Sequence, residues 1–369
     1  MKNKYLLDRK KLKKGDLILT AEPTKQSKGI RVVTLGRYSH AAIWVGGTMI
    51  EATLKGVFSK NAQRLLVDNP EHLAVYRSKV PLSQEITEKI CEYAQSQVGS
   101  LYAISEAALM LPMRLLDLKE SKKQFCSRLV ACSYEYAGFD LQNLRNPNFC
   151  SPRQLSLCKA FQKVEGIVKE AQKSEIAFAQ TTDPVTKNLG DTYEWLNKVR
   201  DLVSATPALC QAYDIQAQND VSRLLLNHPE FDQTVTGFMR STDYLTYFNH
   251  DRSTNPYRYD RLSMLKKIRQ FPLNAGDFLE EELRKEPDSF NKFEKNIVAT
   301  IHHLGLRRVD YFLEHLKLYR NLMNEGLVRM EVIAFGFDSI GETESADGVK
   351  KLANYARHYV KRADEVLSQ

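Results

Sequence analysis

Residues 39–53, which read SHAAIWVGGTMIEAT, decide the fold of the first part of this chain. Two runs of β-branched, aromatic and small apolar residues flank a Gly-Gly pair, and this pattern predicts a tight β-hairpin. If the two glycines form the turn, Ala42 pairs with Glu51 across the strands. His40 and Glu51 are then diagonal neighbours on one face of the hairpin, about 7–8 Å apart at the backbone.

This spacing matters for chemistry because a base that takes a proton from a thiol needs an oriented imidazole ring. A carboxylate on the neighbouring strand can accept a hydrogen bond from His40. The inference depends on the turn, since a slip of one residue would put His40 and Glu51 on opposite faces. A histidine without this context is more often a core or surface residue.

A candidate nucleophile lies in the segment QFCSRLV at residues 124–130. The pattern predicts a helix from Phe125 to Ala137 that ends at Gly138. Cys126 would lie in its first turn, where the helix dipole and the free N–H groups stabilise a thiolate and a developing oxyanion. The alternative is that Cys126 is a small apolar residue of the core. We assign that role to the other cysteines, at positions 91, 132, 150, 158 and 210.

The surroundings of these motifs mix strand and helix signals up to about residue 165. Leu17–Leu19 and Leu73–Tyr76 are typical of strands, and further β-branched residues lie between Arg31 and Leu35. The segment Ile86–Val98 has helical periodicity and is followed by Gly99. An α+β domain is therefore predicted for residues 1–165.

Beyond residue 165, strand signals nearly vanish and amphipathic helices dominate. Apolar residues recur at helical spacing over 349–367 and over 307–322, and the chain lacks a repeat of fixed period. We expect a mostly α-helical domain over residues 166–369, with a boundary between about 160 and 190.

The order of the motifs in the first domain resembles a known family. They are GDLILT at 15–20, YSHAAIWVG at 38–46, MIEAT at 49–53, VGSLY at 98–102, FCSRLV at 125–130, YEYAGFDL at 134–141 and SPRQLS at 151–156. From about residue 12 to 164, this order is similar to that of the permuted NlpC-like cysteine hydrolases, the YiiX/YaeF-like group. In these proteins a papain-like core is circularly permuted, so that the histidine strand precedes the nucleophile helix.

The resemblance implies a set of site residues. Cys126 would be the nucleophile, His40 the base and Glu51 the acidic residue that orients it. Tyr38 and Tyr102 are secondary candidates for lining the substrate pocket, although a core position is more common for an aromatic residue. Two departures from the family pattern bear on that pocket. Arg128 stands where an acidic residue is frequent, and Ala103 follows the G-x-x-Y segment.

Three functions are compatible with these features. The first is hydrolysis of an amide or peptide-like acyl bond through an acyl-thioester on Cys126. The second is lipid acyl transfer or lipid-ester hydrolysis on the same core, which the apolar stretch Ala103–Leu116 and the basic charge favour. The third is a partner-binding module dominated by the helical domain. In that domain Tyr257–Arg261, with further basic residues at 266, 267 and 269, combines aromatic and basic side chains.

Charge and composition bound the partners. The formal net charge is +8 and the calculated pI about 9.0, which favours acidic partners. We expect a solvated basic arm at the N-terminus, which leaves an anionic surface open as a partner. Its basic residues are Lys2, Lys4, Arg9, Lys10, Lys11, Lys13 and Lys14. The nucleic-acid signal is weak, and the expected substrate is a small molecule, a peptide or an acyl compound.

No cofactor or metal is expected, because cysteines and histidines do not occur at ligand spacing and His302, His303 and His315 lack such partners. The sequence shows neither an export signal nor an apolar stretch long enough to span a membrane. We therefore expect a cytoplasmic thiol hydrolase with reduced cysteines. Delivery into another cell by a dedicated secretion system stays open.

Overall fold

A computed structural model of the protein describes residues 3–21, 36–103, 122–181, 183–270 and 274–369. Within these ranges the first part of the chain contains a mixed set of strands and helices, as the sequence predicts. The strands are β1 (Tyr5–Leu7), β2 (Leu17–Thr20), β3 (His40–Trp44), β4 (Met49–Thr53), β5 (Gly56–Lys60), β6 (Leu73–Ser78), β7 (Phe161–Lys163) and β8 (Val168–Glu170).

One antiparallel sheet carries the candidate site. Its described strands follow the order β5-β4-β3-β2-β6-β7, so the predicted hairpin β3–β4 lies inside it. Ala42 pairs with Glu51 and Trp44 with Met49, which confirms the predicted register. Gly46 has a φ of 93°, a conformation that suits glycine and lets the chain reverse tightly.

The two faces of this sheet bury different clusters because side chains alternate along each strand. Leu17, Leu19, Ala41 and Ile43 point to one face and pack with the helices α1 (Gln84–Ser96) and α2 (Cys126–Tyr136). Ile18, Ala42 and Trp44 belong to a second cluster on the other face. Both predicted helices are thus confirmed, and α2 lies against the strand of His40.

The N-terminal arm differs from the expected solvated segment. Strand β1 pairs antiparallel with β8, and Leu6 and Leu7 are buried. Burial of the two leucine side chains removes apolar surface from water, which a free arm would leave exposed. The basic residues around them therefore flank a paired strand. Strand β8 also lies beyond residue 165, where helices were expected.

Of the remaining helices, one lies between α2 and β7 and the others follow β8, where helices make up most of the described chain. They are α3 (Pro152–Ser156, which precedes β7), α4 (Lys173–Gln180), α5 (Pro184–Ala205), α6 (Pro207–Cys210), α7 (Gln218–Asn227), α8 (Asp232–Arg240), α9 (Asn249–Thr254), α10 (Arg261–Ile268), α11 (Ala275–Leu283), α12 (Pro287–Leu306), α13 (Asp310–Ser339) and α14 (Thr343–Leu367). The apolar stripe predicted over 349–367 is buried at Val349, Ala353, Ala356 and Val360, whereas Leu352 is exposed.

The chain divides into two compact units. The first comprises residues 1–196 and 200–220, and the second comprises residues 197–199 and 221–369. The predicted domain boundary near residue 165 stays a prediction, and the first compact unit continues past it. Two sequence features lie outside the described residues, namely Arg31–Leu35 and all of the apolar stretch after Ala103.

Two side chains of the first unit, Arg200 and Gln216, hold one of its segments. Arg200 donates to the carbonyls of Gly99, Ile215 and Gln216, at 2.6 to 2.9 Å. The Leu101 N–H donates to Gln216 Oε1 at 3.1 Å. Residues 99–101, which lead to Tyr102, are therefore fixed by a part of the chain that follows residue 165.

Candidate active site

The His40–Glu51 pair forms as the hairpin predicts. His40 Nε2 lies 2.8 Å from Glu51 Oε2, and the two side chains are 17% and 4% exposed. They come from the first residue of β3 and the third of β4, diagonal across the register. With Nε2 bound to the carboxylate, Nδ1 is the ring nitrogen left for a second partner.

Cys126 supplies that second partner. It is the first residue of α2, and its side chain forms a hydrogen bond with His40. Phe125, at the N-cap, provides no side-chain cap for the helix. The sulfur instead receives backbone N–H groups of Ser127 and Ala41, one from the helix start and one from β3. The donors at this helix end therefore serve the thiolate, the arrangement that activates a cysteine.

The ionisation of the three groups is coupled. Burial opposes the charged form of each, but the hydrogen bonds and charges between them outweigh it. The pKa of the Cys126 thiol is lowered by its bond to the His40 ring, and the pKa of His40 is raised by Cys126 and Glu51. The pKa of Glu51 is lowered by His40 and by Lys60. A thiolate–imidazolium pair beside an ionised carboxylate is the state that these shifts favour.

Tyr102 lies next to this group. The Ala103 N–H donates to the Gln124 carbonyl at 2.8 Å and the Gln124 N–H donates to the Leu101 carbonyl at 3.0 Å. These bonds pair Tyr102 with Gln124, two residues before the start of α2. Burial, and then the charge of Cys126, raise the pKa of the Tyr102 hydroxyl. Of the two tyrosines singled out in the sequence, this one is brought to the candidate nucleophile.

Tyr38 precedes β3 by two residues and packs against Tyr76 of β6. Its side chain is buried, and its ring meets that of Tyr76 edge-on at a centroid distance of 6.3 Å. It lines a pocket of about 250 Å³ together with Arg37, Glu71 and Lys163. Burial raises the pKa of its hydroxyl. The described contacts tie Tyr38 to Tyr76, and its role in binding substrate stays a prediction.

Arg128, the departure from the family pattern, acts inside the protein. Its residue is 1% exposed and its guanidinium lies between the rings of Phe125 and Phe149, at 4.7 and 5.0 Å from their centroids. It donates to the carbonyls of Asn148 and Lys123, both at 2.8 Å. Arg128 thus braces the two segments that flank the start of α2.

Lys60 is a neighbour that the sequence reasoning missed. Its Nζ lies 3.5 Å from Glu51 Oε1, the carboxylate oxygen that His40 leaves open. Register explains this contact, because Met49 pairs with Lys60 and Glu51 with Phe58. The sequence contained a signal for this contact, since a turn near Lys55 and Gly56 predicts that Lys60 is a diagonal neighbour of Glu51.

The basic–aromatic segment of the second unit is engaged internally. Arg258 is 14% exposed and pairs with Asp251, Glu282 and Glu286 at 2.8 to 3.0 Å. Tyr257 donates to Glu282 at 3.2 Å. These contacts bind α9, α11 and the end that precedes α12 together, which is a structural role for these residues.

The described ranges contain no group of three or more His, Cys, Asp or Glu side chains arranged to hold a metal ion. None of their helices is both long and apolar enough to cross a membrane.

Comparison with known proteins supplies the family. A family profile described as a permuted papain-like amidase enzyme, YaeF/YiiX, C92 family, matches residues 11–152. No curated protein and no solved structure matches the chain. The matched range contains β2, the hairpin β3–β4 and the start of α2, with the histidine strand before the cysteine helix as permutation requires. Residues 11–152 therefore belong to the permuted papain-like amidase family, and their fold is α+β.

Proposed function

We propose that this protein is a cysteine hydrolase that cleaves an amide or peptide-like acyl bond through an acyl-thioester on Cys126. One observation carries the proposal: the Cys126 sulfur, the His40 ring and the Glu51 carboxylate form a continuous hydrogen-bonded relay at the start of α2. The family's amidase chemistry agrees with it.

The relay supports a two-step reaction. The Cys126 thiolate attacks the substrate carbonyl carbon, and the oxyanion that forms is stabilised by backbone N–H groups at the helix start, including that of Cys126. The His40 imidazolium gives its proton to the leaving amine as the carbon–nitrogen bond breaks. His40, now neutral, takes a proton from water, whose oxygen attacks the thioester. The acid leaves and the thiolate–imidazolium pair returns.

Glu51 supports both steps without reacting. Its bond to Nε2 directs Nδ1 at the sulfur, and its charge stabilises the imidazolium. Tyr102, whose hydroxyl is influenced by the charge of Cys126, would line the site beside the acyl group. In this proposal the substrate is a small molecule or peptide with an amide bond.

The amide preference rests on the family description, whereas the lipid alternative rests on the apolar stretch after Ala103, which lies outside the described residues. The test is trapping. The purified protein is incubated with an acyl-peptide panel and a phospholipid panel, quenched in acid and digested. Mass spectrometry then locates acyl adducts, and the Cys126→Ala variant is the control.

An acyl group on Cys126 from peptides or amides, absent in Cys126→Ala, is the expected result. Adducts from phospholipids alone would replace the amide assignment with lipid acyl transfer. If neither panel acylates Cys126 or is cleaved, the proposed enzyme activity is wrong and the partner-binding alternative gains weight.

A further inference from the structure

Glu51 takes part in two diagonal contacts, one with His40 and a second with Lys60. Its strand partners are Ala42 on β3 and Phe58 on β5, so His40 and Lys60 are its diagonal neighbours across β3–β4 and β4–β5. Each carboxylate oxygen has one of them: Oε2 is 2.8 Å from the His40 ring and Oε1 is 3.5 Å from Lys60 Nζ. The Lys60 backbone is fixed as well, because its carbonyl accepts from Thr48 Oγ1 at 2.8 Å.

The reaction cycle changes the charge on one side of Glu51 only. In the resting relay, two anions, Cys126 and Glu51, are matched by two cations, His40 and Lys60. Once Cys126 is acylated and His40 has given its proton to the leaving group, the sulfur and the ring are both neutral. Glu51 is then an anion whose side chain is 4% exposed, and Lys60 is the cation that remains beside it.

A buried carboxylate without a cation tends to bind a proton. If the His40–Glu51 pair holds a proton at this stage, His40 cannot act as the base for water. We propose that Lys60 is a positioning residue, which keeps Glu51 ionised and directed at His40 while His40 is neutral. This inference rests on the proposed function, because it gives Lys60 its task in the second step.

The groups that face Glu51 limit the alternatives. Within the described part of the chain, they are His40 from β3, Lys60 from β5 and, through the ring, Cys126 from α2. Lys60 is 29% exposed at its side chain, so a neutral residue of similar length fits there. Lys55, in the turn between the same two strands, is exposed and provides a matched control for losing one positive charge.

The experiment measures the proton affinity of the His40–Glu51 pair where the sulfur cannot contribute. In the Cys126→Ser background, the His40 ring is titrated by NMR with ¹⁵N-histidine and assigned by comparison with His40→Gln. We expect Lys60→Met to raise the apparent pKa of the pair by about 0.5–1 unit. Lys60→Arg should restore the original titration, and Lys55→Met should leave it in place.

A Lys60→Met titration that overlays the parent, or one that Lys55→Met reproduces in full, overturns the inference. Lys60→Gln provides a second neutral variant if Lys60→Met does not fold. The outcome is separable from the proposed function. The titration does not require a reactive cysteine, whereas the acyl-trapping experiment does not require Lys60.

Discussion

Cys126 differs from the other cysteines in what surrounds its sulfur. An imidazole and backbone N–H groups lower the pKa of the Cys126 thiol despite its burial. Burial raises the pKa of the thiol of Cys150, which is fully buried near it. Cys210 is exposed and offers an internal comparison for access to reagent. A thiolate kept by an imidazolium persists to lower pH than a thiolate alone.

We therefore expect the ratio of iodoacetamide labelling at Cys126 to that at Cys210 to rise when the pH is lowered from 8.5 to 6. The sign follows from the lowered pKa of Cys126: the thiolate is present above that pKa, so its fraction declines less on acidification than that of an ordinary thiol. Peptide mass spectrometry measures both sites in one sample. His40→Gln should remove the advantage at pH 6. If the ratio in the parent protein fell when the pH was lowered to 6, the result would contradict the ion pair.

Glu51 has a different task, and its removal should act through His40. Glu51→Gln keeps the shape of the side chain and removes its charge, so the imidazolium loses a stabilising partner. We expect hydrolysis to fall by roughly 10²–10⁴-fold, by analogy with other orienting carboxylates, and the pH 6 labelling of Cys126 to fall with it. Glu85→Gln, at an exposed acid paired with Lys89 on α1, is the control. Unchanged labelling and turnover in Glu51→Gln would remove Glu51 from the relay.

At the scale of these side chains, the sequence predicts contacts that follow from local geometry. His40 and Glu51 could be paired because a tight turn converts residue numbers into neighbours. Arg128 could not be placed, because its stacking between Phe125 and Phe149 depends on how two loops meet. The same holds for the tyrosines: a backbone bridge to Gln124 places Tyr102 beside the start of α2, whereas the Tyr38 ring packs against Tyr76.

At the scale of elements, the ends of helices are better predicted than what packs on them. Glycines at 99 and 138 indicated where α1 and α2 end, and the helices end shortly before them, at Ser96 and Tyr136. Both glycines adopt a positive φ, 99° and 73°. The chain that packs on Gly99 was not foreseen, since it comes from residues nearly one hundred positions later. Strand β8 was also missed, because its short, largely exposed residues carry little apolar pattern.

The two helix ends provide a matched test of that packing. A Cβ at Gly99 would lie 2.6 Å from Leu196 Cδ1, whereas a Cβ at Gly138 would have open space around it. Gly138→Ala should lower the free energy of unfolding by about 1 kcal/mol, from backbone strain alone. Gly99→Ala should lower it by roughly 1–3 kcal/mol more, because fully buried Leu196 must move. Urea unfolding measures both, and equal losses would mean that Leu196 adjusts freely.

At the scale of the whole molecule, the family range and the compact unit have different ends. The family profile ends at residue 152, whereas the first compact unit extends to Asp220. Three kinds of contact account for the extension. They are the pairing of β1 with β8, the Tyr193 hydroxyl near the carbonyls of Val57 and Ser100 at 2.9 and 3.1 Å, and the bonds of Arg200 and Gln216 to residues 99–101. Residues after 165 therefore help to fix residues 99–101, which immediately precede Tyr102.

This division makes a prediction about fragments. A fragment of residues 1–165 lacks β8, the partner of β1, and it lacks Arg200 and Tyr193, which donate to the carbonyls of Gly99 and Ser100. Each lost buried hydrogen bond costs about 1 kcal/mol or more. A fragment of residues 1–220 keeps all of these contacts. We expect the longer fragment to unfold cooperatively and to retain labelling of Cys126 at pH 6. The shorter fragment should unfold at lower temperature and lose that labelling. Calorimetry and iodoacetamide mapping on both fragments measure this. If the 1–165 fragment matched the longer one in both, the boundary near 165 would be correct and the later contacts would be dispensable for the relay.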